Sequence, residues 1–218
     1  MALHCSILKI SRRLLLSAAA SAALALPAMA EDTIKLGLVA AMSGQSAKSG
    51  EAIVRGLSVA IDEINQKGGV LGKKVELVVR DDESNPAKGA VAARELVQRE
   101  KVAALFGGLD TPVSMAIVPF ANQSKIPFMG VWAAGSDVTP AVGIANAYDA
   151  MHLTAIAIAQ AGSTDGPKIR EAFEQIDSYD GLIKNYKKPF SPTEHDALTP
   201  NDYLFTHFKE GQIIPLMN

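Results

Sequence analysis

Apolar residues between positions 31 and 140 alternate between two spacings, one typical of strands and one typical of helices. Continuous apolar runs predict four strands, over residues 34–40, 74–80, 102–106 and 126–131. The first helix is predicted from five apolar positions that share one face of a helix: Ile53, Leu57, Ala60, Ile61 and Ile64. Strand–helix alternation with short loops predicts an α/β fold, a doubly wound parallel sheet.

The starts of the predicted helices indicate where a ligand would lie. Asn85-Pro86 and Thr111-Pro112 each combine an N-cap residue with a proline in the first turn. In a parallel sheet, ligands bind outside the carboxyl ends of the strands. Three segments are expected there: residues 42–49, 109–111 and 132–136. The helix start at Thr111 directs free backbone N–H groups at this crevice, which favours an anionic group such as a carboxylate.

The first thirty residues have the layout of a secretory signal peptide. Basic residues (Lys9, Arg12 and Arg13) precede an apolar run over residues 14–26, and small residues follow up to Ala30. A membrane span needs about 20 apolar residues, and no later stretch supplies them. We therefore predict export to the periplasm with cleavage after Ala30.

Composition narrows the class of protein further. Of the 218 residues, 48% are hydrophobic and 20% are charged, which is typical of a packed globular protein. A single cysteine, Cys5, excludes a disulfide framework and a cysteine-based metal site. A net charge of −2 provides no basic field for binding nucleic acid. Residues 31–218 contain no cysteine, which suits an oxidising compartment.

The motifs of common enzymes are missing from the sequence. No G-x-G-x-x-G follows the first strand, no G-x-S-x-G is present, and residues 68–74 lack the Ser/Thr of a phosphate-binding loop. The acids of residues 81–83 are interpreted as a solvated turn, and His152 as a histidine on a helix surface or core edge. We therefore predict a binding protein rather than an enzyme, with no catalytic residues, no metal and no cofactor.

Several motifs in order carry a resemblance to a known family. They are Ile-Asp-Glu-Ile-Asn (61–65), Lys-Gly-Gly-Val-Leu-Gly-Lys-Lys (67–74), Arg-Asp-Asp-Glu-Ser-Asn-Pro (80–86) and Phe-Gly-Gly (106–108). With them, residues 33–140 resemble the branched-chain amino-acid-binding proteins, which are type I periplasmic solute-binding proteins of ABC importers. The resemblance implies two lobes that close around a solute and then dock on a membrane permease.

Residues 141–218 resemble the C-terminal end of the same family, with helices followed by closing strand segments. Between Pro140 and Ala141 the family has a second lobe, and here the sequence continues without one. We therefore expect a large internal deletion. The expected organisation is a signal peptide (1–30), a first α/β lobe (31–140), and C-terminal helices with a strand tail that packs on that lobe (141–218).

The resemblance also implies site residues, carried over by position. Thr111 matches a first-lobe hydroxyl that holds an amino-acid head group, and Leu109 and Asp110 contribute backbone. Ser49 stands where branched-chain binders have an aromatic residue, and Ala134 where they have a second hydroxyl. Ala133 belongs to the same half-site as Ala134, and Trp132 either stacks on the ligand or plugs the top of the sheet.

These observations together predict an exported substrate-binding component of an ABC importer for amino acids or related small organic solutes. Its expected partners are the solute, an amino acid or similar carboxylate, and an ABC permease in the inner membrane, without nucleic acid. Loss of the second lobe is expected to impair binding. The alternative is a vestigial chain, or a sensor or partner-binding module, that no longer binds solute.

Overall fold

The computed structural model describes residues 33–131, 142–202, 206–209 and 212–215. The predicted signal peptide and site residues Trp132, Ala133 and Ala134 lie outside these ranges. The elements run in this order: β1 (Ile34–Ala40), α1 (Ala47–Gln66), β2 (Val75–Asp81), α2 (Pro86–Gln98), β3 (Leu105–Gly107), α3 (Thr111–Gln123), β4 (Phe128–Gly130), α4 (Val142–Ala161), α5 (Gly166–Glu174), β5 (Ser178–Asp180), β6 (Asn185–Lys187), a 3-10 turn (Pro200–Asp202), β7 (Thr206–Lys209) and β8 (Gln212–Pro215).

Strands β1 to β4 form a parallel sheet in the order β2-β1-β3-β4. Leu38 pairs with Val79 on one side and with Phe106 on the other. The predicted parallel α/β fold is therefore confirmed. β3 is shorter than predicted, although Ala103 N–H still donates to the Lys35 carbonyl at 2.8 Å ahead of the regular ladder.

The two faces of the sheet bury separate apolar clusters, as a doubly wound sheet requires. Leu36, Leu38 and Phe106 pack with the apolar faces of α1 and α4. Val39 and Leu105 point to the opposite face and pack with α2 and α3. Successive strand residues thus serve opposite faces, and the sheet is covered on both.

Helix α1 confirms the predicted apolar face, because all five of its predicted positions are buried. This face contacts α4, and Gly56 lies at the crossing: a Cβ atom there would be 2.2 Å from the Ile144 carbonyl oxygen. α4 in turn packs on α5. Within the described residues, none of the helices has the length and apolarity to cross a bilayer.

The β5–β6 hairpin is attached to α4 through the carboxylate of Asp149, which is 1% exposed. Asp149 accepts hydrogen bonds from Leu182 N–H at 2.7 Å, Ile183 N–H at 2.9 Å and the Tyr186 hydroxyl at 3.1 Å. Three donors satisfy a carboxylate that burial would otherwise make costly. Asp149 is therefore the anchor of the hairpin turn.

An aromatic row continues from this anchor towards α1. His152 lies between Tyr148 and Tyr179, with ring centroids 4.6 and 5.8 Å away, and Tyr179 stacks on Tyr186. The Tyr148 hydroxyl donates to Glu63 of α1 at 2.6 Å. The side chain of His152 is only 15% exposed, and this burial lowers its pKa. His152 is thus a core-edge residue, one of the two places predicted for it.

The tyrosines of this row are expected to resist ionisation. The hydrogen bond to Glu63, followed by burial, raises the pKa of Tyr148 to about 12, and burial raises the pKa of Tyr179 and Tyr186. A folded-state pKa above the unfolded value adds stability that is present below pH 10.0 and is lost as the pH rises above it. Tyrosinate absorbance should therefore show these three side chains ionising together with alkaline unfolding. Ionisation of all the tyrosines near pH 10.0, in a folded chain, would contradict this arrangement.

Candidate functional site

The carboxyl ends of β1, β2 and β3 place three connections along one edge of the sheet. The connections lead into α1, α2 and α3 and span residues 41–46, 82–85 and 108–110. In the order β2-β1-β3 these connections are neighbours, and the helices they open alternate between the two faces of the sheet. This edge, which we call the cleft edge, is where a parallel sheet binds ligands.

Asp81 fixes the first connection to the end of β2. Its Oδ1 accepts from Met42 N–H and from Glu83 N–H, both at 2.9 Å. Burial alone would raise the pKa of Asp81, but hydrogen bonds from Met42, Ser43 and Glu83 lower it. The charged side chain of Asp81 therefore links the connection after β1 to the connection after β2. The sequence did not predict this role.

Asp82 corrects the interpretation of residues 81–83 as a solvated turn. Its side chain is 2% exposed, and its Oδ1 accepts from Ser84 N–H at 2.7 Å. Burial, and then the charges of Asp110 and Asp81, raise the pKa of the Asp82 carboxyl. The sequence pattern missed this burial because it depends on the packing of Asp82 beside Gly89 of α2. Glu83 is exposed and forms an ion pair with Lys88, as a solvated acid would.

The helices that open at the cleft edge differ in how their N-termini are capped. At α2, the Asn85 side chain accepts from Ala87 N–H at 2.9 Å and Lys88 N–H at 3.1 Å. At α1 and α3, the N-cap residues Ser46 and Asp110 make no side-chain capping hydrogen bond. The partial positive charge at these two N-termini is therefore available to a ligand.

Asp110 and Thr111 lie at the start of α3, but the N-cap residue is Asp110, one position before the predicted Thr111. Thr111 is the first residue of the helix and is exposed. Asp110 is half-buried, and its Oδ2 is buried without a hydrogen-bond partner. Its carboxylate places a negative charge beside the N-terminus of α3.

Ser49 lies at the start of α1, and Leu109 lies in the connection that leads from β3 into α3. Ser49 lies in the first turn of α1 and is half-buried, with its N–H bonded to the Ser46 carbonyl at 3.0 Å. Leu109 follows β3 and packs against the larger apolar cluster. The structure therefore places all four residues along the same edge, in the connections and first helical turns that follow the adjacent strands β1 and β3: Ser49, Leu109, Asp110 and Thr111.

The groups along this edge are polar and suited to hydrogen bonding. In the described ranges, no three His, Cys, Asp or Glu side chains lie close enough to hold a metal ion. Its functional groups are a hydroxyl, carboxylates and the N–H groups of two helix starts. Such groups orient a small polar solute by hydrogen bonding.

Residues 33–144 match the family described as Periplasmic binding protein. This match covers half of the chain, and the chain belongs to the periplasmic binding protein family, in the type I class. The resemblance to branched-chain amino-acid-binding proteins is confirmed.

Curated relatives agree with this assignment. The chain is 38% identical over 136 residues to Leu/Ile/Val-binding protein homolog 7 of Brucella abortus, covering 62% of this chain and 33% of that protein. It is 39% identical over 102 residues to the Leu/Ile/Val-binding protein BraC3 of Rhizobium johnstonii, covering 45% and 28%. The chain thus spans about a third of the length of the curated relatives it matches.

Solved structures share the fold. A type 1 periplasmic binding protein from Bordetella pertussis gives a TM-score of 0.74 at 14% identity, covering 85% of this chain and 100% of that chain. The branched-chain amino-acid transporter substrate-binding protein LivJ from Streptococcus pneumoniae, solved with isoleucine, gives 0.69 at 15% identity, covering 83% and 97%.

Proposed function

We propose that this chain is the solute-binding component of an ABC importer for amino acids, exported to the periplasm with cleavage after Ala30. The relatives named for leucine, isoleucine and valine binding support this proposal. The observation that carries it is the pair of helix N-termini, of α1 and α3, that open at the cleft edge without side-chain caps. A solute carboxylate placed there would bind backbone N–H groups and the Thr111 hydroxyl.

The negative charge of Asp110 favours zwitterionic solutes over simple anions. A ligand carrying only a carboxylate would meet the Asp110 charge at the same helix start and be repelled. An α-amino acid carries an ammonium group beside its carboxylate, and the negative charge of Asp110 attracts that ammonium. We therefore expect leucine to bind more tightly than 4-methylpentanoate, which has the same carbon skeleton without the amine.

The affinity expected of this site is low. Family members enclose the solute between two lobes, and this chain spans about a third of the length of its curated relatives. We propose that an internal deletion at Pro140–Ala141 has removed the second lobe. The remaining half-site covers one side of the ligand, whereas a complete pocket buries 70–90% of a small molecule.

Replacing Thr111 with valine tests the half-site. The change keeps the shape of the side chain and removes the hydroxyl, so affinity should fall roughly 10- to 100-fold, the value of a hydrogen bond to a charged group. Thr111→Ser keeps the hydroxyl and should retain most of the affinity. Isothermal titration with leucine measures both variants. Equal affinity of the valine variant and the parent chain would refute the role of Thr111.

A further inference from the structure

Strand β4 is an edge strand of the sheet. Among the described residues, no strand pairs with its outer edge. Leu105 N–H donates to the Pro127 carbonyl and Val131 N–H donates to the Gly107 carbonyl, both at 2.9 Å. The backbone N–H and C=O groups of residues 127, 129 and 131 therefore point towards β3. The backbone N–H and C=O groups of Phe128 and Gly130 face away from the sheet, where they can pair with a further strand.

A groove with a volume of about 570 Å³ runs along this edge. One side is formed by β4 and the end of α3, and the other by α5 and Phe190. Phe128, Phe173 and Phe190 line it together with charged residues, which are Lys125, Arg170, Glu171 and Glu174. Beside Gly130 a Cβ atom would meet nothing within 4 Å. We call this the β4 groove. It has room for the side chains of an added strand, and it lies away from the cleft edge.

The opposite edge of the sheet, formed by β2, shows how this protein protects an exposed strand. β2 carries Glu76, Arg80 and Asp81, and charged residues on an edge strand discourage pairing with another chain. Residues 126–131, which contain β4, carry no charge. The β4 strand itself therefore lacks the charges that β2 carries, which leaves it open to pairing with another strand.

The chain contains a strand suited to that place. β7 and β8 form an antiparallel hairpin that pairs only with itself in the described sheets, and an isolated hairpin is marginally stable in water. Its connection has two residues, so Lys209 and Gln212 form a hydrogen-bonded pair, as do His207 and Ile214. The outward backbone groups of β7 are then those of Thr206 and Phe208, two residues apart like Phe128 and Gly130.

The outer edge of β8 is less suitable, because Pro215 has no N–H to donate. A second β4 edge is also a poor partner, since each β4 lies beside a wall formed by α5 and Phe190. The two-stranded β7–β8 hairpin can enter such a groove, whereas the β4 edges of two copies are both kept apart by their own walls.

We infer that the β4 groove receives strand β7 of a second copy of this chain, which extends the sheet and forms a dimer. The hairpin lies outside the sheet of its own copy, which leaves it available to a neighbour. Reciprocal exchange of hairpins closes the assembly at two copies, and both open edges are then paired. This inference is independent of the proposed solute.

Disulfide trapping between two differently labelled copies tests it. In a Cys5→Ser background, one preparation carries Gly130→Cys and the other carries Phe208→Cys. On mild oxidation the mixture should give a disulfide-linked heterodimer, and neither preparation alone should give a linked dimer. Val79→Cys, on the outer edge of β2, replaces Gly130→Cys as the matched control and should give no heterodimer with Phe208→Cys. A mixture without heterodimer, or one no richer than the β2 control, overturns the inference.

Sedimentation equilibrium of uncrosslinked chains gives a second, independent readout. The parent chain should double in mass as its concentration rises. Gly130→Pro removes the outward N–H without touching the ladder to β3, so it should keep the chain monomeric and folded by circular dichroism. Gly130→Ala keeps that N–H and has space for its Cβ, so it should dimerise like the parent. A monomeric parent chain at every concentration, or association that Gly130→Pro leaves unchanged, contradicts the proposed dimer.

Discussion

Replacing Gly56 with alanine should lower the free energy of unfolding by about 3 kcal/mol, the upper range for overpacking a core. Helix propensity alone predicts the opposite sign, because alanine stabilises a helix interior over glycine by up to about 1 kcal/mol. The close packing of α1 against α4 determines which of these two effects, overpacking or helix propensity, is larger. A Cβ at position 56 would be 2.2 Å from the Ile144 carbonyl oxygen and 2.9 Å from the Ala147 Cβ. The first of these atoms is backbone and cannot move without shifting α4.

Urea unfolding followed by circular dichroism measures this difference. Val59→Ala is the matched control, since Val59 is 49% exposed on the same helix and its truncation should change stability by less than about 0.5 kcal/mol. A Gly56→Ala variant as stable as the parent chain would mean that α4 does not approach α1 as described.

Replacing Asp149 with alanine should lower the free energy of unfolding by about 4 kcal/mol. The variant leaves the buried Tyr186 hydroxyl and the part-buried N–H groups of Leu182 and Ile183 without their acceptor. A buried donor left unsatisfied costs about 1–3 kcal/mol, and a part-buried donor costs less. Hydrogen exchange should show the amides of Leu182 and Ile183 losing protection before the rest of the chain, because their acceptor is gone.

Asp180→Ala provides the comparison for this prediction. Asp180 is exposed on the same hairpin and accepts only a 3.5 Å hydrogen bond from Asn185, so its loss should be close to neutral. Equal effects of the two substitutions would show that Asp149 does not anchor the hairpin.

Much of the first half of the fold could be predicted because its signals are local. The apolar face of α1 follows from the spacing of Ile53, Leu57 and Ile64. The start of α2 follows from Asn85-Pro86, whose side-chain cap the structure confirms. Strand–helix alternation then gives the parallel sheet, since crossover connections allow few other arrangements.

The parts that could not be predicted depend on contacts between distant segments. Asp82 looked solvated in the sequence, and it is buried beside Gly89 of α2. Asp149 gave no signal at all, because its donors lie more than thirty residues away in the chain. The placement of site residues was predictable at Thr111 and Ser49, where a strand end and a helix start define the cleft edge. That they bind a solute stays a prediction.

Thermal unfolding of the purified chain, with and without millimolar leucine, tests the central claim most directly. A solute that binds only the folded chain raises the midpoint, adding ~2.7 kcal/mol of stability at a hundredfold excess over its Kd. We expect a cooperative transition that leucine shifts upwards and that 4-methylpentanoate shifts less. A cooperative transition that leucine leaves unshifted would contradict the claim that the folded cleft edge binds this amino acid.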